Sequence, residues 1–599
     1  MISMKHRITA LIASVLLLAA FLLLEQHCRA PMPEPSVPGG YYDEEFVLHF
    51  TAPENGTIYY TLDGSVPTDQ SAVYTDGIHM ANRSSEPNVY NAVQNVVPEW
   101  INYNPDSTPV EKGTVVRAIY VNDWGIASDI FTQTYFVGIS PPEQGYTLSL
   151  IFSYDDFFGD KGIYVTGADY DAWYLSGKDM SLAPLPNYEQ HWEVPALAQM
   201  MDNTQEIMNQ TVGIRIQGVS ARPAAKKRLT MTARKEYSGS QTFDVMIFDG
   251  ITTHSVMMKE ALIDAIMPEL VADRHVSVQR SVPVRVFLNG EYWYDSFMLE
   301  RYDSQYFRQY YQVPEKLLVK DGVPDPEVLA ISEVDDYGEF MYWVCNSDLS
   351  QPENWKRLQQ EADIQSYIDF LAINCCIGNY DFHDEHNYVL WRSLYPGHTK
   401  FEDQRWRWCM YDLDTIRWAK YDPNFDDHAA LNIFSDPGVY GIANTRLFRA
   451  LRNNPEFCRQ FVLSYSDIVN NNFAPKRVEA VLNKYGYTLD WLDSFFTRRP
   501  AFAMAHLADE FDLTGTLETV HISTANPHMG TVTVNTSQID LSDGSWSGQY
   551  YSDYPITITA APEPGYTFVG WKGDTGETSA QITLPVTGGL SLEAVFAKA

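Results

Sequence analysis

Two acidic clusters near the middle of this chain carry the residue types and spacing that could build a metal–phosphate site. The first is Asn379-Tyr380-Asp381-Phe382-His383-Asp384-Glu385-His386-Asn387, and the second is Tyr411-Asp412-Leu413-Asp414. Carboxylate and amide oxygens are the ligands that Mg²⁺ and similar hard cations prefer. A chain that presents Asp381 and Asn387 in one loop and Asp412 after a hairpin could hold such a cation against the phosphates of a nucleotide.

The elements that would position these clusters follow from the same stretch. Tyr388-Val389-Leu390-Trp391 predicts a strand, Pro396-Gly397 a turn, and residues 405–410 a second strand in which Trp406 and Trp408 alternate. One cluster is therefore expected just before the first strand of a hairpin and the other just after its second strand. Protein kinases use this order of a catalytic Asp, an Asn on Mg²⁺ and a second Mg²⁺-binding Asp. The order indicates phosphoryl transfer.

Length and composition limit the fold and the partners. A chain of 599 residues is too long for one ordinary core, so three or four domains are expected. A hydrophobic content of 45% and an aromatic content of 14% suit well-packed globular domains rather than extended disorder. The formal net charge of -35 argues against a nucleic-acid partner, because phosphate backbones recruit Lys and Arg.

The N-terminus has the pattern of an export signal. Lys5-His6-Arg7 precedes an apolar run from Ile8 to Leu24, so the protein is expected to be exported, to the extracellular space or the cell surface. Residues 1–30 are either a signal peptide or an N-terminal anchor, and the membrane is expected as a partner only through this segment. The residues before Cys28 are not those of a lipoprotein signal. Residues 31–40 are rich in Pro and Gly and predict a linker.

Two small all-β modules are expected on either side of the middle region. Residues 41–137 contain the turn cluster Asp63-Gly64-Ser65-Val66-Pro67-Thr68 and resemble the chitobiase/β-hexosaminidase C-terminal module, a sandwich-like domain. Residues 512–599 contain Gly565-Tyr566-Thr567-Phe568-Val569-Gly570-Trp571 and resemble a bacterial surface repeat. These resemblances imply spacer, stalk or adhesion roles. Cell-wall glycan is a candidate partner of the two modules.

The middle, residues 143–510, resembles the CotH family, the spore-coat-type atypical protein kinases. The resemblance depends on an ordered set of motifs, at 162–167, 213–222, Lys226-Lys227, 287–293, 299–301, the two acidic clusters and 447–475. It implies a multidomain chain in which a central α+β domain, like that of atypical protein kinases, is flanked by two small all-β domains.

The same resemblance implies roles for the acidic clusters. Asp381 would orient or deprotonate the acceptor hydroxyl. Asn387 and Asp412, with Asp414 assisting, would bind Mg²⁺ or Mn²⁺ against the phosphates of ATP. The loop also contains Asp384, a rival for the catalytic role.

A second group would contact the nucleotide, namely Gly218, Ser220, Arg222, Lys226, Lys227 and Glu300. Gly218 and Ser220 follow a strand, where a tight turn can offer N–H and hydroxyl groups to phosphate. Lys227 is preferred to Lys226 as the phosphate-contacting lysine, because strand alternation sends only one of them inward. Glu300 would contact the adenosine or pair with a lysine, or it is a surface carboxylate.

Two classes of function stay open at this point. The first is an exported, ATP- and divalent-metal-dependent kinase that phosphorylates Ser or Thr on surface or spore-coat proteins. The alternative is a non-catalytic cell-surface adhesion or assembly protein with a kinase-like domain. His383 and His386 are too few for a zinc site, and no feature fixes the acid and base of a glycosidase.

Overall fold

The computed structural model describes residues 29–53, 55–260, 262–324, 336–414, 428–434, 442, 445–486 and 490–599. Residues 1–28, which include Cys28 and all of the predicted signal segment except its last two residues, lie outside the described residues. No described helix is long and apolar enough to cross a membrane. The described residues up to Glu260, together with Val282–Arg301, form one compact unit, and residues 262–281 together with the described part of 302–599 form a second.

The first unit begins with the N-terminal module, which is built from β-strands. Its main sheet has five strands in the order β2-β9-β8-β5-β6, and two further pairs are β1-β4 and β3-β7. Alternating residues of β8, such as Val116, Ala118 and Tyr120, enter its core. The strands are β1 (Glu34–Pro35), β2 (Gly40–Tyr42), β3 (Phe46–Leu48), β4 (Phe50–Thr51), β5 (Gly56–Thr61), β6 (Ala72–Val73), β7 (Ile78–Met80), β8 (Thr114–Asn122) and β9 (Phe131–Val137).

The rest of the first unit is a closed barrel with the strand order β10-β11-β12-β13-β14-β16-β15. Met208, Val212, Ile214 and Ile216 of one long strand fill the core from alternate positions. The strands are β10 (Tyr146–Ile151), β11 (Glu193–Met201), β12 (Glu206–Gln217), β13 (Arg228–Ala233), β14 (Ser255–Lys259), β15 (Ser281–Leu288) and β16 (Glu291–Glu300). Short helices accompany them, namely α1 (Tyr154–Phe157), α2 (Ala168–Leu175), α3 (Lys235–Ser238) and 3-10 turns at Met180–Leu182 and Asn187–Glu189.

The second unit contains a helical lobe around a small sheet of order β18-β17-β19-β20. The predicted hairpin is confirmed, because Val389 pairs with Cys409 and Trp391 with Arg407 in antiparallel register. The strands are β17 (Lys316–Lys320), β18 (Val323–Pro324), β19 (Val389–Ser393) and β20 (Arg407–Cys409). The helices are α4 (Leu262–Leu270), α5 (Ser304–Tyr311), α6 (Asp336–Asn346), α7 (Pro352–Glu361), α8 (Ile364–Cys376), α9 (Arg446–Leu451), α10 (Pro455–Asp467), α11 (Pro475–Lys484), α12 (Asp490–Glu510), a 3-10 turn at His428–Ala430 and a π-helical turn at Ile468–Asn472.

Helix α8 lies at the centre of this lobe and leads to the first acidic cluster. Asp363 fixes its start, because the Asp363 carboxylate accepts the Ser366 N–H at 3.2 Å. Nearly all residues from Ile364 to Cys376 are buried. A helix packed on every side cannot shift without disturbing the core, so the loop that follows it starts from a fixed position.

The C-terminal module consists of two four-stranded sheets, β24-β21-β28-β26 and β23-β22-β25-β27. Val520, Val532 and Trp571 belong to the core between them. The strands are β21 (Leu517–Ser523), β22 (Gly530–Val534), β23 (Ser537–Gln538), β24 (Ser545–Tyr551), β25 (Ile556–Pro562), β26 (Tyr566–Gly573), β27 (Gln581–Leu584) and β28 (Leu590–Lys598). The fold class predicted from the sequence is confirmed.

A buried arginine joins this module to helix α8. Arg274 Nη2 donates to Asp369 Oδ1 at 2.6 Å, and Nη1 donates to Ser537 Oγ at 2.9 Å. The side chains of Arg274 and Asp369 are 1% and 0% exposed. The C-terminal module therefore bonds to a residue that itself bonds the helix leading to the candidate site.

The end of α10 makes a second polar junction with the same module. The Asp467 carboxylate accepts hydrogen bonds from Thr536 N at 2.8 Å, Thr536 Oγ1 at 2.6 Å and Tyr550 OH at 2.8 Å. Three residues later, Asn470 Nδ2 donates to Gln549 O at 2.8 Å, and its Oδ1 accepts the Gln549 N–H at 3.0 Å. Asn470 belongs to the π-helical turn, which changes the direction of the side chains after α10.

Candidate functional site

The first acidic cluster forms the loop between α8 and β19. Asn379 bonds the last turn of α8, and its Oδ1 accepts the Asp381 N–H at 3.1 Å. The backbone N–H groups of His383 and His386 donate to each other's carbonyls at 3.0 and 2.9 Å, which closes a tight turn. Asn387 follows with a φ of 50°, a left-handed conformation that Asn tolerates better than most residues. The loop therefore returns on itself and brings its two ends together.

Asp381 lies at the meeting point of these ends. Asn387 Nδ2 donates to the Asp381 carbonyl at 2.9 Å and to its carboxylate at 3.3 Å, while His386 Nε2 lies 3.1 Å from the other carboxylate oxygen. Burial raises the pKa of Asp381, His386 opposes the rise, and Asp412 and Asp414 add to it. The candidate catalytic residue therefore lies within electrostatic reach of two of the metal-binding candidates.

Asp384, the rival in the loop, is engaged elsewhere. Its side chain is 5% exposed, and Oδ2 accepts both the backbone N–H and the Nε–H of Arg446 at 2.8 Å. Arg446 is the first residue of α9. Asp384 thus ties the loop to the start of a helix, whereas the Asp381 side chain is 37% exposed and accessible to a substrate.

The second cluster directly follows β20. Asp412 has a φ of 53°, and the next N–H, that of Leu413, donates to Asp264 Oδ1 at 3.1 Å. Asp264 lies in the first turn of α4. The bond fixes the backbone between Asp412 and Asp414, so the two carboxylates are attached to a turn of defined conformation.

Lys320 supplies a cation beside this turn. Its Nζ donates to Tyr411 OH at 2.9 Å. Burial lowers the pKa of Lys320, but Tyr411, Asp321 and Asp412 together raise it by more, so the net shift is upward. The ammonium group of Lys320 therefore stays protonated and acts on Asp412.

The donor atoms at this site suit a hard cation. Asn387 uses Nδ2 on Asp381, so its Oδ1 is the amide atom suited to a cation. In the described part of the chain, no three His, Cys, Asp or Glu side chains are arranged to hold a metal ion. The expected set is instead one amide and two carboxylates, Asn387, Asp412 and Asp414, and phosphate oxygens would complete the coordination of Mg²⁺ or Mn²⁺.

The predicted nucleotide-contacting residues belong to the first unit. Lys227 is fully buried, and its Nζ donates to the carbonyls of Val96 at 2.6 Å, Arg222 at 2.5 Å and Ala224 at 3.0 Å. It also lies 3.9 Å from the centre of the Tyr188 ring. Burial lowers the pKa of Lys227 to about 7. All three ammonium protons have carbonyl partners in this conformation, and a phosphate contact by Lys227 stays a prediction.

Arg222 and Lys226 are also engaged inside the first unit. Arg222 donates to the carbonyls of Tyr188 and Ile216. Lys226 Nζ bonds Asn91 Oδ1 and lies 3.2 Å from the centre of the Trp293 ring. Burial lowers the pKa of Lys226 to about 8.

Of the remaining predicted residues, Gly218 has a φ of 97° and Ser220 is exposed, so this turn presents its hydroxyl to solvent. Glu300 is 3% exposed and ends β16 opposite Val256. It is not the surface carboxylate that one of the predictions allowed.

Sequence reasoning missed three polar residues around the site. Lys320 ends a strand with an apolar centre and is followed by Asp321-Gly322, a turn signal that could have marked it. Asp264 gives no such signal, because its partner lies 149 residues later in the chain. His386 was considered only as a zinc ligand, and its contact with Asp381 was not anticipated.

Three protein families match this chain. Residues 214–491 match the family described as CotH kinase protein, residues 47–135 match Fn3 associated, and residues 522–599 match the divergent InlB B-repeat domain. No curated protein matches. The resemblances stated from the sequence are confirmed. The chain carries a CotH kinase domain, which supports a kinase-like role, between two β-rich modules.

Proposed function

We propose that the CotH kinase domain transfers the γ-phosphoryl group of ATP to Ser or Thr hydroxyls of surface or spore-coat proteins, outside the cell and with Mg²⁺ or Mn²⁺. The observation that supports this proposal is that Asp381, Asn387, Asp412 and Asp414 belong to the two segments beside the open end of one hairpin, where Asp412 and Asp414 act on the pKa of Asp381. The Asn387 amide closes the first segment on itself, and Asp264 fixes the backbone of the second.

Each residue has a physical role in this proposal. Asp381, whose pKa is raised, is better placed to accept a proton from the acceptor hydroxyl than an ordinary exposed Asp. Asn387, Asp412 and Asp414 would hold the cation, which neutralises charge on the phosphates when bound. His386 and Asn387 hold the Asp381 carboxylate in one orientation, which favours attack from a fixed position.

Phosphate transfer from labelled ATP tests this function directly. The full-length chain is incubated with labelled ATP and Mg²⁺ or Mn²⁺, with itself and casein as acceptors. Asp381→Asn and Asp412→Asn should each reduce metal-dependent labelling at least about 100-fold, because they remove positioned charge. Glu385→Gln is the matched control, since Glu385 lies in the same loop but is exposed to solvent. Full labelling by either aspartate variant would contradict the site assignment.

One observation favours a second function, the non-catalytic surface adhesion or assembly protein. Lys227 Nζ donates hydrogen bonds to three carbonyl groups, and a lysine with these contacts stabilises the fold rather than binding phosphate. This reading expects no labelling and no thermal shift with ATP and metal, together with binding to cells or cell-wall glycan that Asp381→Asn leaves unchanged.

A further inference from the structure

Lys320 lies at the open end of the hairpin sheet, level with both segments of the candidate site. It pairs with Val389 in antiparallel register, and Val389 pairs in turn with Cys409. Residues directly opposite one another in a sheet point to the same face. Asn387 stands two residues before Val389, and Asp412 stands three residues after Cys409. The sheet therefore places Lys320 in one row with the two strand ends that carry the metal-binding candidates.

The protein uses only part of the hydrogen-bonding capacity of this lysine. Lys320 Nζ donates to Tyr411 OH at 2.9 Å and lies 4.4 Å from the centre of the Tyr411 ring. Within the described ranges it makes no other hydrogen bond and no direct ion pair, although Asp321 and Asp412 act on it electrostatically. An ammonium group has three N–H donors. The side chain is exposed, so two of its donors are available to a ligand.

The charges at this site call for a cation once a nucleotide is bound. Asp412 and Asp414 both act on Asp381, so the protein already brings three carboxylates together. A divalent cation offsets part of this charge, but the phosphates of a nucleotide add several negative charges of their own. Kinases place a lysine on the phosphates for this reason. Arg446 does not meet the need, because it pairs with the buried carboxylate of Asp384.

We propose that Lys320 binds the nucleotide phosphates at this site, the role that sequence reasoning gave to Lys227. The inference rests on the proposed function, since that function brings the nucleotide and the metal ion to Asp412. The phosphates would accept the two unused N–H donors of Lys320. Asp412 stays available to the cation, because Lys320 does not form a direct ion pair with it. Lys227, in contrast, has all three of its donors on carbonyl groups.

An acyl phosphate derivative of ATP identifies the lysine that contacts the phosphates in the unmodified full-length chain. A lysine amine beside the phosphates attacks the acyl carbonyl, an amide forms, and ATP leaves. Mass spectrometry then locates the amide. We expect modification of Lys320 that requires Mg²⁺ and that an excess of ATP prevents, with none at Lys226 or Lys227.

The outcomes of this mapping separate the inference from the kinase proposal. ATP-protected modification of Lys227 in place of Lys320 would overturn the inference and leave the kinase proposal intact. ATP-protected modification of Lys320 in a chain that transfers no phosphate would support the inference and contradict the kinase proposal. No protected modification at any lysine would overturn the inference, and the labelling assay would then decide on the kinase proposal by itself.

Binding of a non-hydrolysable ATP analogue with Mg²⁺ provides a second readout that does not depend on transfer. In titration calorimetry, Lys320→Met should bind at least about tenfold more weakly, because a charge-assisted hydrogen bond is lost. Lys320→Arg should keep part of the affinity. Lys400→Met is the matched control and should bind as the original chain does. Lys400 is also an exposed lysine, with Nζ 4.6 Å from the centre of the Phe401 ring, but it lies between β19 and β20 at the closed end of the hairpin.

A change in Tyr411 distinguishes phosphate binding from a structural role of Lys320. Tyr411→Phe keeps the ring and removes the hydroxyl that Lys320 bonds, so it should bind the analogue nearly as tightly as the original chain. A loss in Tyr411→Phe as large as that in Lys320→Met would mean that Lys320 acts through Tyr411, and this would overturn the inference. Unchanged binding by Lys320→Met, or equal losses in Lys320→Met and Lys400→Met, would overturn it as well.

Discussion

Replacing Arg274 by Met tests whether the C-terminal module is part of the kinase lobe. The change removes the guanidinium that bonds Asp369 on α8 and Ser537 on the module, but keeps a side chain of similar length. Asp369 would still accept hydrogen bonds from the His275 N–H at 2.7 Å and from Gln365 Nε2 at 2.7 Å. Its charge, however, would remain buried without a cation.

The size of the effect follows from the burial of this pair. Removing one partner of a buried ion pair costs about 3–5 kcal/mol, because the other charge stays in a low-dielectric interior. At an unfolding entropy of about 2.1 cal/mol/K per residue, each kcal/mol shifts the unfolding midpoint of a unit of about 320 residues by roughly 1.5 °C. The second unit should therefore unfold about 5 to 8 °C lower in Arg274→Met. Differential scanning calorimetry of the full-length chain measures this directly.

A second ion pair across the same boundary provides the control. Lys476 Nζ lies 2.6 Å from Asp543 Oδ2, the same separation as in the Arg274–Asp369 pair, but these side chains are 85% and 72% exposed. Lys476→Met should leave the transition unchanged, since water and salt screen an exposed pair. The double variant Arg274→Met/Asp369→Leu should recover most of the lost stability, because no unpaired charge remains. Equal shifts in the two single variants would refute the reasoning from burial.

Three other outcomes follow from the described contacts. Asp384→Asn should lower the thermal midpoint because it loses the ion pair with Arg446, whereas Asp381→Asn should abolish phosphate transfer at an unchanged midpoint. Calorimetry measures the midpoints, and the labelling assay measures the transfer. The reverse pattern would make Asp384 the catalytic candidate. Burial raises the pKa of Asp467 from 3.8 to about 6, so between pH 4 and 6 the folded chain keeps a proton that the unfolded chain releases. The free energy of unfolding should therefore fall by roughly 3 kcal/mol as the pH rises from 4 to 6. Urea unfolding across this range measures the fall, which should flatten in Asp467→Asn. Lys227→Met should destabilise the chain by about 1–3 kcal/mol without ATP, because three carbonyls lose their donor. If the variant is instead as stable as the original chain but loses the thermal shift that ATP causes, Lys227 is a phosphate ligand.

The elements around the candidate site could be predicted because local patterns determine them. A short apolar run identified the strand that contains Trp391, and the alternation of Trp406 and Trp408 identified the next one. The turn residues between them separated the two strands. The acidic residues Asp381 and Asp412 directly follow a buried helix and a buried strand, so their proximity followed from the order of the elements. The family motifs extended the same reasoning over the middle of the chain.

The partners of charged residues could not be predicted, because they depend on contacts between distant segments. Lys227 donates to Val96, which lies 131 residues earlier, and Asp384 pairs with Arg446, which lies 62 residues later. Strand alternation was the reason for expecting Lys227 to point inward. The structure does bury Lys227, but both lysines precede β13, which begins at Arg228, so alternation is not the cause. Alternation carries no information on what fills the interior, and here carbonyl groups surround the ammonium.

The contact between Asn470 and β24 has a consequence for self-association. β24 lies at the edge of its sheet, where unpaired backbone groups can recruit a strand from another chain. The Asn470 amide satisfies both the N–H and the carbonyl of Gln549, so one side chain of the helical lobe occupies the hydrogen-bonding positions that an added strand would need. A C-terminal module separated from this lobe would expose that edge, and such modules would pair with one another where the intact chain does not.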